Sequence, residues 1–477
     1  MVKSSSSFIS RVTPHDVPTK RMAEHDPAGI YAFLNINRAF MWLDLSAEDR
    51  VGTPATSNMT GLTIEHPKVE PISKILFTKA FALCHDVNKV TLSSTNCDMV
   101  MGFNASDFLW WDPPTQKYSR LNKNGAITKS PPIEVKWIPG SENLFMAAHR
   151  DGTLIVYDKE KEDAPFVPED DPSVQSPNRP RMLVRKSIQS KNQKTNPVAH
   201  YKIARDRIRG FAFSPAGQHV ATVCDDGKLR IIDLAREELV DVQPSYYGAL
   251  TCVTWSPDGL YLLTGGEDDT VSIWSVTERA LVARCNGHKS WVSGVAFDPW
   301  RCDDQGNYRF ASVGEDCRLL IWDFSPGMLA RPRAASVRYN SISSVAVSRS
   351  QSSTTVQRLG AATPTQTRKG PSAEALETSP ADDDDDDDDN IATNATTSGL
   401  AHPVVPRAEC PKLPPVLSKI VDVHPLSWLE FTEDSLLVAC KSGHVRRWER
   451  PAEADESTPM GMHKHNGSLS FANPFVK

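Results

Sequence analysis

The segment Gly265-Gly266-Glu267-Asp268-Asp269-Thr270-Val271-Ser272-Ile273-Trp274 constrains the fold most, because the chain repeats it. Gly314-Glu315-Asp316-Cys317-Arg318-Leu319-Leu320-Ile321-Trp322-Asp323 has the same shape, and Asp225-Asp226-Gly227-Lys228-Leu229-Arg230-Ile231-Ile232-Asp233 is a worn copy. Each reads as an acidic tight turn, then a short strand of alternating β-branched or leucine residues ending near an aromatic–acid pair. A unit recurring every ~40–45 residues cannot bury its apolar face alone, so its copies must stack. Four short strands per repeat, packed radially, make the blade of a β-propeller.

The residue closing the third strand of each repeat is a ruler along the chain. It falls at Trp42, Trp111, Tyr157, Ile232, Trp274, Trp322 and Trp448, with gaps of 69, 46, 75, 42, 48 and 126 residues. Three gaps fit one blade, and the others coincide with polar, Pro-rich or Asp-rich stretches at 46–70, 162–196 and 331–415. Removing the 85 residues of the last stretch leaves 41, again one blade. The reading is an all-β, seven-bladed WD40 propeller with long disordered insertions. First strands at Val135–Gly140, Phe211–Gly217, Ala249–Gly259 and Val292–Pro299 end in Pro with Gly or Asp, which sets a tight turn into the next antiparallel strand. Tyr31 to Leu45 offers only about two strands, so the first blade is expected to be incomplete. The expected organisation is a flexible N-terminus (1–21), blades one to six (22–330), a disordered acidic insertion (331–415), the last blade (416–451) and a flexible tail (452–477), in which Ser468 to Phe471 could add a strand.

Composition narrows the function classes. Hydrophobic content is 39% and there are 35 prolines, so part of the chain lies outside any core. The net charge of −6 includes the aspartates Asp382 to Asp389, and without these eight the rest carries +2. That balance lacks the basic excess of a nucleic-acid binder. The run itself reads as a solvated acidic loop, and Arg179, Arg181, Arg185, Lys186, Lys191 and Lys194 in another insertion read as a plain soluble loop, with binding to an acidic surface or nuclear import as the alternatives. Nine scattered cysteines, with Cys224, Cys252 and Cys317 expected in strands, suit free thiols in a reducing compartment. With no signal-peptide core and no apolar run of about 18 residues, the chain reads as intracellular, in the cytoplasm, the nucleus or both.

One polar constellation stands out. His288, Ser312, Asp316 and Trp322 have the spacing of a blade's internal hydrogen-bonded chain, in which Asp accepts from His, His engages the hydroxyl, and the hydroxyl meets the indole N–H. The same residue types make a catalytic triad, but the blade period favours a structural role. Asp151, Asp226 and Asp268 hold the equivalent turn position, and Trp274 the equivalent indole. Cys84-His85-Asp86 and His463-Lys464-His465 lack a second cluster at ligand spacing, so no metal is expected. No cofactor motif is present either, and nothing in the sequence requests a reaction.

Binding residues follow from blade geometry. Loops entering first strands, and the residue before each turn aspartate, emerge on one face. They hold Tyr246, Tyr247, Trp291, Arg150, Asp225, Glu267 and Glu315. Tyr, Trp and Arg are enriched in interface hot spots. Tyr247 and Trp291 read as one patch at equivalent places in adjacent blades, with coverage of strand ends as the alternative.

Several blocks exceed generic repeat patterning. They are Ile138-Pro139-Gly140-Ser141-Glu142-Asn143-Leu144-Phe145, Gln193-Lys194-Thr195-Asn196-Pro197, Gly287-His288-Lys289-Ser290-Trp291-Val292-Ser293, Val295-Ala296-Phe297-Asp298-Pro299-Trp300 and Trp448-Glu449-Arg450-Pro451. In this order they resemble the CreC family of fungal catabolite-repression proteins, and are similar to animal WD-repeat activators of ubiquitin-specific proteases. The resemblance covers roughly residues 22–451. It implies a non-catalytic scaffold that stabilises or activates a CreB-type deubiquitinase in carbon catabolite repression. The alternative is a substrate receptor or scaffold of a ubiquitin ligase or another multiprotein complex, which fold alone does not separate from the first.

Overall fold

The computed structural model describes residues 9–14, 29–45, 71–167, 182–191, 193–303, 305–329, 400–450 and 468–469. They form seven sheets of four or five strands, antiparallel except for one short edge pair. Successive inner strands pack against one another, Ala82–Val87 on Pro132–Trp137, then Ile208–Phe213, Leu250–Trp255, Val292–Phe297 and Leu426–Phe431. The seven-bladed reading stands.

Each blade exists because its middle strands are apolar on both faces. Tyr308–Gly314 and Arg318–Phe324 of the sixth blade bury Phe310, Ala311, Val313, Leu320 and Trp322 completely or nearly so. One face meets the fifth blade through Leu263, Ile273 and Ala283, and the other meets the seventh through Leu429, Leu436 and Val438. A strand buried between two sheets reads as a near-continuous apolar run, which is why these segments lack strict alternation.

The inner strands carry a second device. In these six the pairing register slips after the first residue, as between Leu250 and Cys252 or Val292 and Gly294. Such a bulge re-aims the extra residue. Thr251 thereby donates its hydroxyl to the Val292 carbonyl of the next blade, and Ser293 donates to Leu426 O at 2.6 Å.

The ring closes between the last and first blades. Met41, Leu43 and Leu45 pack on Leu437, Ala439 and Val445. Gly443 turns there at φ +92°, and a Cβ on it would stand 2.5 Å from Ile36 Cδ1, so the seam requires glycine.

Several outer strands come from unexpected places. The first blade has four strands, not about two, with Ile9–Pro14 from the expected flexible N-terminus pairing with Ser73–Phe77. Trp42 consequently lies in the second strand, Ala39–Asp44, and the other six marks lie in third strands. Leu183–Lys186, inside the expected 162–196 insertion, adds a fifth strand to the third blade. Leu417–Ile420, expected in the last blade, pairs instead with Arg318–Ile321 of the sixth. The last blade is Leu426–Phe431, Ser435–Cys440 and Val445–Glu449, with Ser468–Leu469 outside. Cys317 sits in a turn at φ +60°, not in a strand, and all nine cysteines are free.

The insertion expected to be disordered over 331–415 is ordered at its end. Residues 400–415 cross the outer edges of two blades. Val242 donates to Leu400 O at 2.8 Å and His402 Nε2 meets Asp241 Oδ1 at 2.8 Å. Lys412–Leu413 then pair in parallel with Arg284–Cys285. Unpaired N–H and C=O groups on an edge strand are what such a segment satisfies. The Asp382–Asp389 run, residues 46–70, Arg179, Arg181, and His463 to His465 lie outside the described residues.

Candidate functional site

The four residues read as a blade's polar chain are joined in the sixth blade. His288 Nδ1 lies 3.0 Å from Asp316 Oδ1, His288 Nε2 lies 2.8 Å from Ser312 Oγ, and Trp322 Nε1 donates to the same Oγ at 2.9 Å. With Asp316 as acceptor, Nδ1 carries the imidazole proton and Nε2 accepts from the hydroxyl. Burial pushes the His288 pKa down and Asp316 pushes it up; burial wins, so the ring is held neutral. This is the order of a Ser–His–Asp triad. However, Ser312 and Trp322 are fully buried and the indole occupies the hydroxyl oxygen, so no substrate can reach it. The chain ties the loop from the fifth blade to the turn of the sixth, where Asp316 also caps Lys289 N at 2.9 Å.

Other blades keep fragments of this chain. In the fifth, Trp274 Nε1 donates to Thr264 Oγ1 at 2.9 Å, while Asp268 accepts from Thr270 N and Oγ1 at 3.1 and 2.8 Å. Asp151 holds Thr153 in the same way. Asp226 accepts from Lys228 N at 3.2 Å and, with lysine where those two turns have threonine, pairs with Arg230 at 3.1 Å. These aspartates stiffen turns.

The candidate binding face is defined by one hydrogen bond repeated seven times. The residue after each second strand donates its N–H to the residue before the inner strand: Leu45 to Ile30, Asn104 to Phe81, Arg150 to Pro131, Asp225 to Arg207, Glu267 to Ala249, Glu315 to Trp291 and Lys441 to Pro425, all at 2.8–3.2 Å. Arg150, Asp225, Glu267 and Glu315 therefore occupy one ring of equivalent positions. Trp291 belongs to the adjoining ring and is 45% exposed.

This register separates the two expected anchors. Trp291 corresponds to Ala249, so Tyr247 corresponds to Lys289 and not to Trp291. Tyr247 is nevertheless the most open aromatic of the loop, at 74% exposure. Tyr246, one step earlier, faces the Arg284 guanidinium, 4.8 Å from its ring centroid. The acidic members are engaged within the chain. Asp225 pairs with Arg207 at 3.0 Å and with Arg209, Glu267 with Arg209 at 3.0 Å, and Glu315 with Lys441 at 2.6 Å.

Two exposed aromatics on these elements were not singled out from the sequence. Phe81 holds the same register position as Trp291, and the rule that found Trp291 would have found it. Trp428 lies on the inner strand of the last blade, its Cα 3.8 Å from where a Cβ on Gly294 would stand. Its signal was hidden because the start of that strand could not be placed behind the long insertion.

These features define a WD-repeat β-propeller. The family model "WD domain, G-beta repeat" matches residues 195–233, 239–275 and 279–323. Each match takes the outer strand of one blade and three strands of the next, so the repeat unit staples neighbouring blades. The UBP9-binding protein bun62 of Schizosaccharomyces pombe (strain 972 / ATCC 24843) is 36% identical over 454 residues, 94% of this chain and 75% of that protein. The chain belongs to the family of WD-repeat proteins that includes bun62. Among solved structures, the computationally designed Ika8 protein aligns at a TM-score of 0.39 and 12% identity, over 76% of this chain and 70% of that one, too distant to bear on the argument. No helix among the described residues is long and apolar enough to cross a membrane.

Proposed function

We propose that this chain is a non-catalytic scaffold that binds a ubiquitin-specific protease and stabilises or activates it inside the cell. The observation that carries the reading is the exposed Trp291, held on a rigid rim by the Glu315–Trp291 backbone bond, in a protein 36% identical to one named for binding UBP9. A large aromatic on a preorganised loop loses little entropy on docking and offers the area typical of a hot spot.

Trp291 and Tyr247 are assigned as anchors. Tyr246 and Arg150 flank them, and Asp225, Glu267 and Glu315, already paired within the chain, shape the rim's charge. The resemblance to fungal catabolite-repression proteins extends the reading to a CreB-type protease and to regulation by carbon source. Affinity purification of the tagged chain from cells grown with and without glucose tests it. Recovery of a ubiquitin-specific protease, lost with Trp291→Ala, is the expected result. Recovery of ubiquitin-ligase subunits in its place would replace this reading with that of a ligase receptor.

A further inference from the structure

The last blade lacks the clamp that the sixth blade builds from His288 and Asp316, and a different set of side chains occupies its place. In the sixth blade the histidine lies four residues before Val292, and Val292 pairs with Gly314, two residues before Asp316. In the last blade Leu426 pairs with Cys440, so the corresponding positions are Asp422 and Ser442. A carboxylate replaces the imidazole, a hydroxyl replaces the carboxylate, and a thiol replaces a glycine. His444 then enters from the turn that leads into Val445–Glu449, its Nδ1 3.2 Å from Asp422 Oδ2.

We propose that Asp422, Cys440 and His444 form a structural site for a divalent transition-metal ion of the zinc class. One ligand atom from each lies within 4.8 Å of the other two. Tetrahedral zinc with bonds of about 2.0–2.3 Å needs ligand atoms about 3.5 Å apart, so side-chain adjustment of about 1 Å closes the set. Sulfur, imidazole nitrogen and carboxylate oxygen together suit zinc, and do not suit magnesium or calcium.

The surroundings support the three ligands. Asp422 Oδ1 accepts Val423 N at 2.7 Å and His424 N at 3.0 Å, which fixes the carboxylate and leaves Oδ2 toward the cluster. Ser442 Oγ lies 2.9 Å from Cys440 Sγ, placed to donate to a thiolate. Cys440 and His444 flank a tight turn closed by Cys440 N to His444 O at 3.0 Å, so their spacing is set by the hairpin. The His424 ring stands 5.9 Å from that of His444 and supplies a candidate fourth ligand. Arg446 holds Asp422 Oδ2 through Nη2 at 3.1 Å and Nε at 3.3 Å, and the ion would take the lone pair that now accepts from His444 Nδ1.

On binding, the thiol proton passes to solvent, the imidazole proton that faces Asp422 is exchanged through solvent onto Nε2 of His444, and the ion, thiolate and carboxylate sum to zero charge. The ion would tie the loop entering the last blade to the hairpin that carries Gly443, at the seam that closes the ring.

The test adds cobalt(II) to the full chain after dialysis against a chelator. The expected result is a cobalt–thiolate charge-transfer band saturating at one ion per chain and abolished by equimolar zinc. Cys440→Ser should remove the band, and His444→Gln should weaken zinc binding by more than about tenfold. Arg446→Gln should leave it intact. His444 is only half-buried, so that variant decides the matter even if Cys440→Ser fails to fold. No thiolate band in the parent chain, or metal binding unchanged in either ligand variant that folds, would overturn the site.

Discussion

Replacing Ser312 with alanine removes one atom from the sixth blade and leaves two buried groups without partners. Trp322 Nε1 loses its acceptor at 2.9 Å and His288 Nε2 loses its donor at 2.8 Å. Both side chains are sealed from solvent, and the space freed by one oxygen is smaller than a water molecule. Each orphaned buried group costs about 1–3 kcal/mol, so the variant should lose about 2–6 kcal/mol. Thr264→Val in the fifth blade is the internal comparison, since Trp274 is the indole that its hydroxyl serves, and the expected loss is about half as large. Denaturant unfolding of the two variants measures this as a fall in midpoint at unchanged slope. A loss below about 0.5 kcal/mol for Ser312→Ala, or one no larger than that of Thr264→Val, would refute the view that the His–Ser–Trp chain holds the blade.

Three further perturbations test the packing. Gly443→Ala places a methyl group against Ile36 at positive φ and should cost about 1–3 kcal/mol, read as a lower thermal midpoint. Arg450→Ala strips both hydrogen bonds at 2.6 Å from the buried Asp298 carboxylate, and calorimetry should show a loss of about 3–5 kcal/mol. His200 has a pKa pushed down to about 4, chiefly by burial, with Arg185 adding to it. The unfolded chain therefore takes up its proton first, and stability is lost as pH falls from about 6.5 toward about 4, by up to roughly 3 kcal/mol. His200→Gln should flatten that part of the pH–stability curve, and an unchanged slope would show that another group governs it.

The parts of the fold legible in the sequence were those fixed by local chemistry. A tight turn and the short apolar strand after it are set within about ten residues, and the residue closing that strand marked third strands in six blades. Outer strands were not legible. Ile9–Pro14 pairs with a strand nearly sixty residues away, and Leu417–Ile420 pairs with one about a hundred residues earlier. All four residues of the latter strand are exposed, so no apolar periodicity announces it. The polar chain of the sixth blade was readable because all four members keep the repeat spacing. The Asp422, Cys440 and His444 cluster was not, because its members substitute for that pattern. On the face, Trp291 was found from its place before an inner strand. Its supposed equivalence with Tyr247 failed because a two-residue offset in a crossover loop leaves no mark in composition.

The central claim is that the rim carrying Trp291 docks a ubiquitin-specific protease. Titration calorimetry of the purified full chain against that protease, for the parent and for Trp291→Ala, addresses it directly. The account predicts one-to-one binding in the parent. It also predicts at least about tenfold weaker binding in the variant, about 1.4 kcal/mol or more, with an unchanged unfolding midpoint. Equal affinity in a variant that folds normally would contradict it.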